Sequence, residues 1–212
     1  MVMNFLEREL NKTGDPRDKA RGSDIPLPNP ESLSTIKEFS PETKEALEKE
    51  GYLIYSLTGK SIKDLKKEGM KFWSTWHEKY PDFETKPSIY SEVAFNPKHL
   101  FLPNSNNKTL AQQEKFVECF SQKLGQKIKG VKAIIGEAPD YVELTFNHLK
   151  RTSERLFGKN YNYDYSRAKT PTVGSNVAVV GYFSAALGLD VDYWFHGESH
   201  GDVWIAPLVV PA

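Results

Sequence analysis

The 212-residue sequence has a single cysteine, Cys119, so it can form no intramolecular disulfide and no zinc site that needs two thiolates. It also lacks any run of about 18 apolar residues, the length that a membrane helix requires. Its first residues lack the basic start and apolar stretch of a signal peptide. We therefore expect a soluble cytoplasmic protein without a membrane partner.

The sequence lacks net charge as well, because 28 Lys and Arg balance 28 Asp and Glu. This balance excludes a polybasic nucleic-acid binder and an acidic tail protein as a description of the whole chain. Also absent are Gly-x-Ser-x-Gly, the P-loop motif and Gly-x-Gly-x-x-Gly, so nothing indicates a nucleophile elbow or ordinary nucleotide binding. We predict no cofactor.

Hydrophobic residues nevertheless make up 39% of the chain, enough for a sizeable core. Proline, glycine and aspartate interrupt any period up to residue 31, and a Ser-Pro-Glu helix start follows at Ser40. We predict a flexible N-terminal arm over residues 1–39 and a single domain over residues 40–212.

Two long amphipathic helices are predicted in the middle of the chain. The first begins at the capping-box pair Thr109 and Gln112 and ends at Gly125. The second follows the turn at residues 136–140 and carries an apolar stripe from Tyr141 to Leu156.

From residue 160 onward the apolar period changes from about 3.6 to two. Alternating or apolar runs occupy residues 161–166, 176–184, 189–196 and 202–210, with glycine-containing turns between them. The predicted fold is α+β, with a mainly antiparallel C-terminal sheet of about four to six strands packed against the two long helices.

The start of the second long helix holds candidate acid/base groups. Glu137 and Asp140 lie there, and His148 lies about one turn beyond Glu143, so a carboxylate and an imidazole could transfer protons. We assign Glu137, Asp140 and His148 as candidate catalytic residues. The alternative is structural, with Asp140 as the N-cap and Glu143 at the third helical position.

Arginines and polar loops suggest an anion site. Guanidinium groups of Arg151, Arg155 and Arg167 match phosphate or carboxylate geometry, and Asn106 and Thr172 lie in turn-rich loops of the kind that carry binding sites. We take these five as candidate ligand-binding residues for a small anionic ligand. The alternative for the loops is that they are caps and hairpin connections.

His196 and His200 lie in a glycine-containing turn with Glu198 and Asp202, where two imidazoles and two carboxylates could converge on a metal. No further His or Cys cluster completes a ligand set, so an exposed polar turn is the alternative, and we predict no metal site.

Charge is distributed unevenly along the chain. Residues 108–169 contain 12 basic and 7 acidic groups, whereas residues 170–212 contain no Lys or Arg and 4 acidic groups. This gradient indicates either complementary layers or a basic helical face that could contact phosphate backbones.

Four segments resemble a family of uncharacterised proteins predicted from bacteria with reduced genomes. They are SEVAF at 91–95, LPNSNNKTL at 102–110, GEAPDY at 136–141 and TPTVGS at 170–175. The resemblance implies a bacterial, cytoplasmic setting and one unit over residues 40–212, and it assigns no catalytic residue.

Three functions remain open. The one we favour is a non-catalytic module that binds a small anionic ligand or a protein partner, because no compact catalytic constellation is evident. The alternatives are an enzyme acting on a phosphorylated or nucleotide-like ligand and, third, a nucleic-acid binder that uses a basic helical face.

Overall fold

The structure is a computed structural model that describes residues 38–73, 81–157 and 164–212, all of them in the compact unit Ile36–Ala212. Most of the predicted N-terminal arm and the alternating residues Tyr161 and Tyr163 lie outside these ranges. Where the description begins, Phe39 is already buried, and its N–H donates to the Glu92 carboxylate at 2.7 Å.

Side-chain caps begin three of the described helices, and two of these caps, Ser40 and Thr109, are at predicted residues. Ser40, Ser61 and Thr109 each accept a hydrogen bond from the N–H three residues ahead, which satisfies a donor that the helix itself leaves unpaired. The α-helices of the described ranges are α1 (Pro41–Lys49), α2 (Ile62–Lys67), α3 (Pro81–Thr85), α4 (Leu110–Lys127) and α5 (Ala138–Thr152). A short 3-10 helix occupies Pro97–His99.

The strands form two four-stranded sheets, so the fold is mixed α+β as predicted. The first sheet has the order β1-β2-β8-β3 and is antiparallel. The second has the order β6-β5-β4-β7, antiparallel except for the β4–β7 pair. The strands are β1 (Leu53–Ser56), β2 (Glu92–Phe95), β3 (Val131–Ile134), β4 (Tyr165–Pro171), β5 (Asn176–Ser184), β6 (Gly188–Phe195), β7 (Val203–Trp204) and β8 (Leu208–Pro211).

The predicted C-terminal sheet is therefore found in part: β4–β7 form a mainly antiparallel sheet of four strands, but α5 packs on it whereas α4 packs on the first sheet. The predicted strand over residues 202–210 divides into β7 and β8, which belong to different sheets. Between them the N–H groups of Ile205 and Ala206 donate to the hydroxyls of Ser105 and Ser166. Because side chains take these hydrogen bonds, the chain can leave one sheet and enter the other.

Helix α5 separates the two sheets. In one cluster it packs with Val93 and Phe95 of the first sheet and with Ala178 and Val180 of the second. Ala94, the strand residue between Val93 and Phe95, belongs instead to a cluster with α1 and α4 on the opposite face. The first sheet is thus buried on both faces, which is why β2 and β8 show no polar alternation.

Three helix boundaries differ from their predicted positions. Helix α5 ends at Thr152, before Leu156, the last residue of its predicted apolar stripe. Gly125 is not the end of α4, which continues to Lys127. Glu137, and not Asp140, is the N-cap of α5. Ala138 and Pro139 occupy the first two helical positions, where proline is well tolerated. Among the described residues, no helix combines the length and apolar character needed to cross a bilayer.

Two glycines with positive φ, Gly188 and Gly174, provide a test of how closely residues 71–73 must approach β6. Gly188 has φ +101° and lies so near Lys71 that a Cβ would be 2.4 Å from the Lys71 carbonyl oxygen, whereas Gly174, at φ +64°, has open space around it. We expect Gly174→Ala to cost about 1–2 kcal/mol for the left-handed backbone alone. Gly188→Ala should cost about 1–3 kcal/mol more, because the backbone itself must move.

Urea unfolding of both variants and of the parent chain measures this difference. Equal losses of unfolding free energy would show that the segment can shift away from β6 without cost.

Candidate functional site

A cavity of about 370 Å³ lies beside the C-terminal half of α5, and we call it the His148 cavity. It is lined by residues 97–101 together with His148, Leu156, Phe157, Asp164 and Trp204. Four separate parts of the chain therefore build its walls.

His148, which lines the cavity, belongs to a buried imidazole–phenol pair. His148 is 2% exposed, and its Nδ1 lies 2.8 Å from the Tyr55 hydroxyl oxygen. The His148 ring also packs edge-on against Phe95, with ring centroids 5.4 Å apart. Burial raises the pKa of Tyr55 and the Arg151 guanidinium above its ring opposes the rise, so the phenol keeps its proton at neutral pH.

One wall of the cavity is aromatic. The Phe101 ring lies between Phe157 and Trp204, with centroid distances of 6.0 and 5.7 Å and interplanar angles of 35° and 30°. The Trp204 indole N–H donates to the Asp164 carboxylate at 3.1 Å, which fixes the ring plane. Such a wall offers flat apolar surface next to a carboxylate.

Two exposed polar side chains also line the cavity. Lys98 and His99 are exposed and belong to the 3-10 helix, which Asn96 caps by accepting the Lys98 N–H. The cavity therefore combines an aromatic wall, a buried histidine and a positive group open to solvent.

The predicted acid/base set is not assembled at one point. Asp140 and His148 are eight residues apart on α5, a rise of about 12 Å. Of the predicted catalytic residues only His148 lines the cavity.

The other carboxylates of α5 connect loops to the helix. Asp140 is fully buried and accepts from the Ser88 hydroxyl, the Ile89 N–H and the Glu137 N–H. Glu137 accepts from the Thr170 hydroxyl and the Lys86 ammonium group.

Glu143 has the same kind of role one turn further along. Its carboxylate is 1% exposed and accepts from the N–H and hydroxyl of Thr58, both at 2.6 Å, and from the Lys60 N–H. These carboxylates are structural, but the predicted placements are wrong, because Asp140 and not Glu143 occupies the third helical position and Glu137 is the N-cap.

The three arginines do not form a shared clamp. Arg151 donates to the Ile54 carbonyl beside Tyr55, and Arg155 lies 5.4 Å above the Phe183 ring. Arg167 lies in β4 and is fully buried, donating to the carbonyls of His196 and Glu198.

The predicted loop residues separate in the same way. Asn106 donates to the Gly201 carbonyl, so Asn106 and Arg167 hold the same 196–201 segment. The Thr172 N–H donates to the Asn176 carbonyl in the turn between β4 and β5. The Thr172 hydroxyl is buried and has no hydrogen-bond partner among the described residues.

The histidine turn forms no metal cluster within the described part of the chain. His196 is exposed, whereas the His200 ring packs 4.5 Å from that of Trp194 and its Nδ1 accepts from the Asp202 N–H.

The basic surplus of residues 108–169 is divided between elements. Helices α4 and α5 pack on opposite faces of the first sheet, and Lys127 and Lys169 pair with Glu50 and Glu114. The basic groups of the two helices therefore do not share a face.

Sequence reasoning missed most of the His148 cavity. Tyr55, Phe101, Phe157 and Asp164 carry no motif, and Tyr55 is 93 residues from the histidine that it contacts. Trp204 was evident only as one aromatic residue among many. The chain matches no protein-family model, and comparisons with curated proteins and with solved structures find no match.

The buried carboxylate of Asp140 gives a pH-dependent prediction. Burial raises the pKa of Asp140 more strongly than its three hydrogen bonds lower it, so the folded chain binds this proton more tightly than the unfolded chain. Its contribution to stability is therefore present at acid pH and is lost as pH rises through the carboxyl titration. Unfolding free energies of the parent chain and Asp140→Asn at pH 4.5, 6 and 7.5 measure this contribution.

We expect Asp140→Asn to cost about 1–3 kcal/mol at pH 4.5, because its amide nitrogen cannot accept the Glu137 N–H, and to cost less as pH rises. Glu42→Gln is the control, and its cost in unfolding free energy should change with pH in the opposite direction. Hydrogen bonds from the Glu42 backbone N–H and from Ser40 lower the pKa of that exposed carboxyl. If the loss of unfolding free energy caused by Asp140→Asn instead grows as pH rises, the hydrogen bonds lower the pKa of Asp140 more than burial raises it.

Proposed function

We propose that this protein is a non-catalytic binding module whose His148 cavity takes a small anionic ligand with a planar ring. The observation that carries the proposal is the aromatic wall, in which Phe101 is held between Phe157 and Trp204 beside an open volume. Aromatic surface of this kind binds flat rings by stacking and by burial of apolar area.

The volume limits the size of the ligand. Small-molecule sites usually enclose about 300–1,000 Å³, and a cavity of about 370 Å³ lies near the lower end. One or two fused rings with a short substituent fit this range.

The polar groups favour an anionic substituent directed outward. Lys98 and His99 stand at the border of the cavity and are exposed, so they can meet a carboxylate or phosphate without its complete desolvation. The Asp164 carboxylate lies on the aromatic side with Trp204 and would repel the same group there. This asymmetry orients the ligand with its ring on Trp204 and its charge toward Lys98.

Binding without chemistry is supported by the positions of the two buried carboxylates of α5. Asp140 is buried and accepts hydrogen bonds from the 88–89 loop, and Glu143 is buried and accepts hydrogen bonds from the 58–60 loop. Neither residue lines the cavity. Acid/base catalysis needs a positioned pair at the reacting atoms, and these groups do not reach them.

One observation favours an enzyme as the second candidate. His148 lines the cavity and forms a hydrogen-bonded imidazole–phenol pair with Tyr55, and such pairs can move a proton to or from a bound ligand. In this alternative His148 keeps its predicted acid/base role, with Tyr55 in place of Glu137 and Asp140.

Binding is tested with indole-3-acetate, salicylate and adenosine monophosphate by isothermal titration calorimetry on the full chain. We expect at least one probe to bind, and Trp204→Ala to weaken it about tenfold because a stacked aromatic contact is worth about 0.5–1.5 kcal/mol beyond its buried area. Trp73→Ala is the matched control, since Trp73 packs on Tyr182 and does not line the His148 cavity. The proposal is wrong if no probe binds or if both variants weaken binding equally.

The same probes distinguish a binding module from an enzyme. After prolonged incubation with the parent chain, mass spectrometry should recover each bound probe unchanged. Conversion that disappears in both His148→Gln and Tyr55→Phe would instead establish the enzymatic alternative.

A further inference from the structure

Arg167 is a positively charged side chain placed in the interior of the fold. It lies in β4 and is 0% exposed, although arginine is among the residues least often fully buried. Burial lowers the pKa of Arg167 to about 10, so the guanidinium stays charged at neutral pH.

The described protein atoms satisfy this cation only in part. Nη1 and Nη2 donate to the carbonyls of His196 and Glu198 at 3.3 and 3.0 Å, whereas Nε is buried without a hydrogen-bond partner. No carboxylate among the described residues forms an ion pair with it. A buried charge without a counter-charge costs several kcal/mol, so the site favours an added anion.

A second unpaired donor lies on the same face of the second sheet. Arg167 is in register with Val179 of β5, while Trp194 of β6 is in register with Val177, the next residue of β5 on that face. The indole Nε1 of Trp194 is buried without an acceptor, like Nε of Arg167. Both are donors that an oxyanion could accept from.

The acidic groups of this face lie on the far strand. Asp192 is opposite Val179 on β6, two strand spacings or about 10 Å from β4, and it accepts from the Tyr193 N–H. Asp190, also on β6, accepts from the Tyr165 hydroxyl. Neither carboxylate neutralises the guanidinium directly.

Residues 196–200 form the segment that covers Arg167. Residues 196–199 are exposed, and Leu110 and Asn107 at the start of α4 donate backbone N–H groups to the carbonyls of His196 and His200. The guanidinium is therefore covered by an exposed stretch of chain.

We infer that Arg167, together with the Trp194 indole, binds a small oxyanion beneath the 196–200 segment. The ligand class is a phosphate or a carboxylate, because the guanidinium fork pairs with two oxygens of either group. This site lies on the face of the second sheet that points away from α5 and does not depend on the His148 cavity, so either proposal can fail without the other.

The test measures the melting temperature of the full chain against inorganic phosphate, and separately against acetate, at constant pH and constant ionic strength set with sodium chloride. We expect a saturable rise of about 3–6 °C at an anion concentration ten times the dissociation constant. The general stabilising effect of phosphate does not saturate and is shared by every variant, so it is distinguishable from binding. The more effective of the two salts identifies the preferred group.

Arg167→Met should abolish the saturable rise, whereas Arg151→Met, which alters an exposed arginine, should retain it. If Arg167→Met does not fold, Arg167→Lys decides, because it keeps the charge but loses the fork and should bind the anion at least about tenfold more weakly. The inference is overturned if the parent chain shows no saturable response, as a site filled only by water would predict. It is equally overturned if the Arg167 variants respond like the parent, because the anion then binds elsewhere, for example at Lys98 and His99.

Discussion

Helix α5 is buried from Ala138 to Phe146, and this burial between two sheets determines where the other elements can lie. A helix with apolar cover on both sides cannot leave charged groups unsatisfied, so its buried carboxylates must find donors in the neighbouring loops. Asp140 and Glu143 do so through the 88–89 and 58–60 segments. The groups that look like acid/base machinery in the sequence therefore serve to hold loops against the central helix.

The same burial creates the proposed binding site. His148 lies near the C-terminal end of α5, where the cover of the first sheet ends at Tyr55 and Phe95 and the 97–101 segment begins a new wall. The imidazole is thus buried by the protein on one side and borders an open volume on the other. A histidine in this position can orient a ligand or exchange a proton with it, and these two roles separate the binding and enzymatic proposals.

The second sheet places the charged side chain of Arg167 on its outer face, away from α5. Its inner face packs on α5 through Ala178, Val180 and Val191, so the alternation of β4 directs Arg167 outward, where residues 196–198 cover it. Asn106 fastens the end of the same segment at Gly201. Two residues chosen from the sequence as anion ligands consequently meet at one segment, although the arginine clamp that motivated the choice is not formed.

Local signals in the sequence determined the elements. The caps at Ser40 and Thr109 act within three residues, and β5 and β6 follow from short apolar or alternating runs, so neighbouring residues suffice to predict them. Only the tertiary structure decided that β8 leaves the C-terminal strands to join β2 and β3, because a strand buried on both faces has no polar alternation to show which sheet it enters. The cavity and the buried arginine also depend on contacts between residues dozens of positions apart, such as Tyr55 with His148, and no local period encodes these.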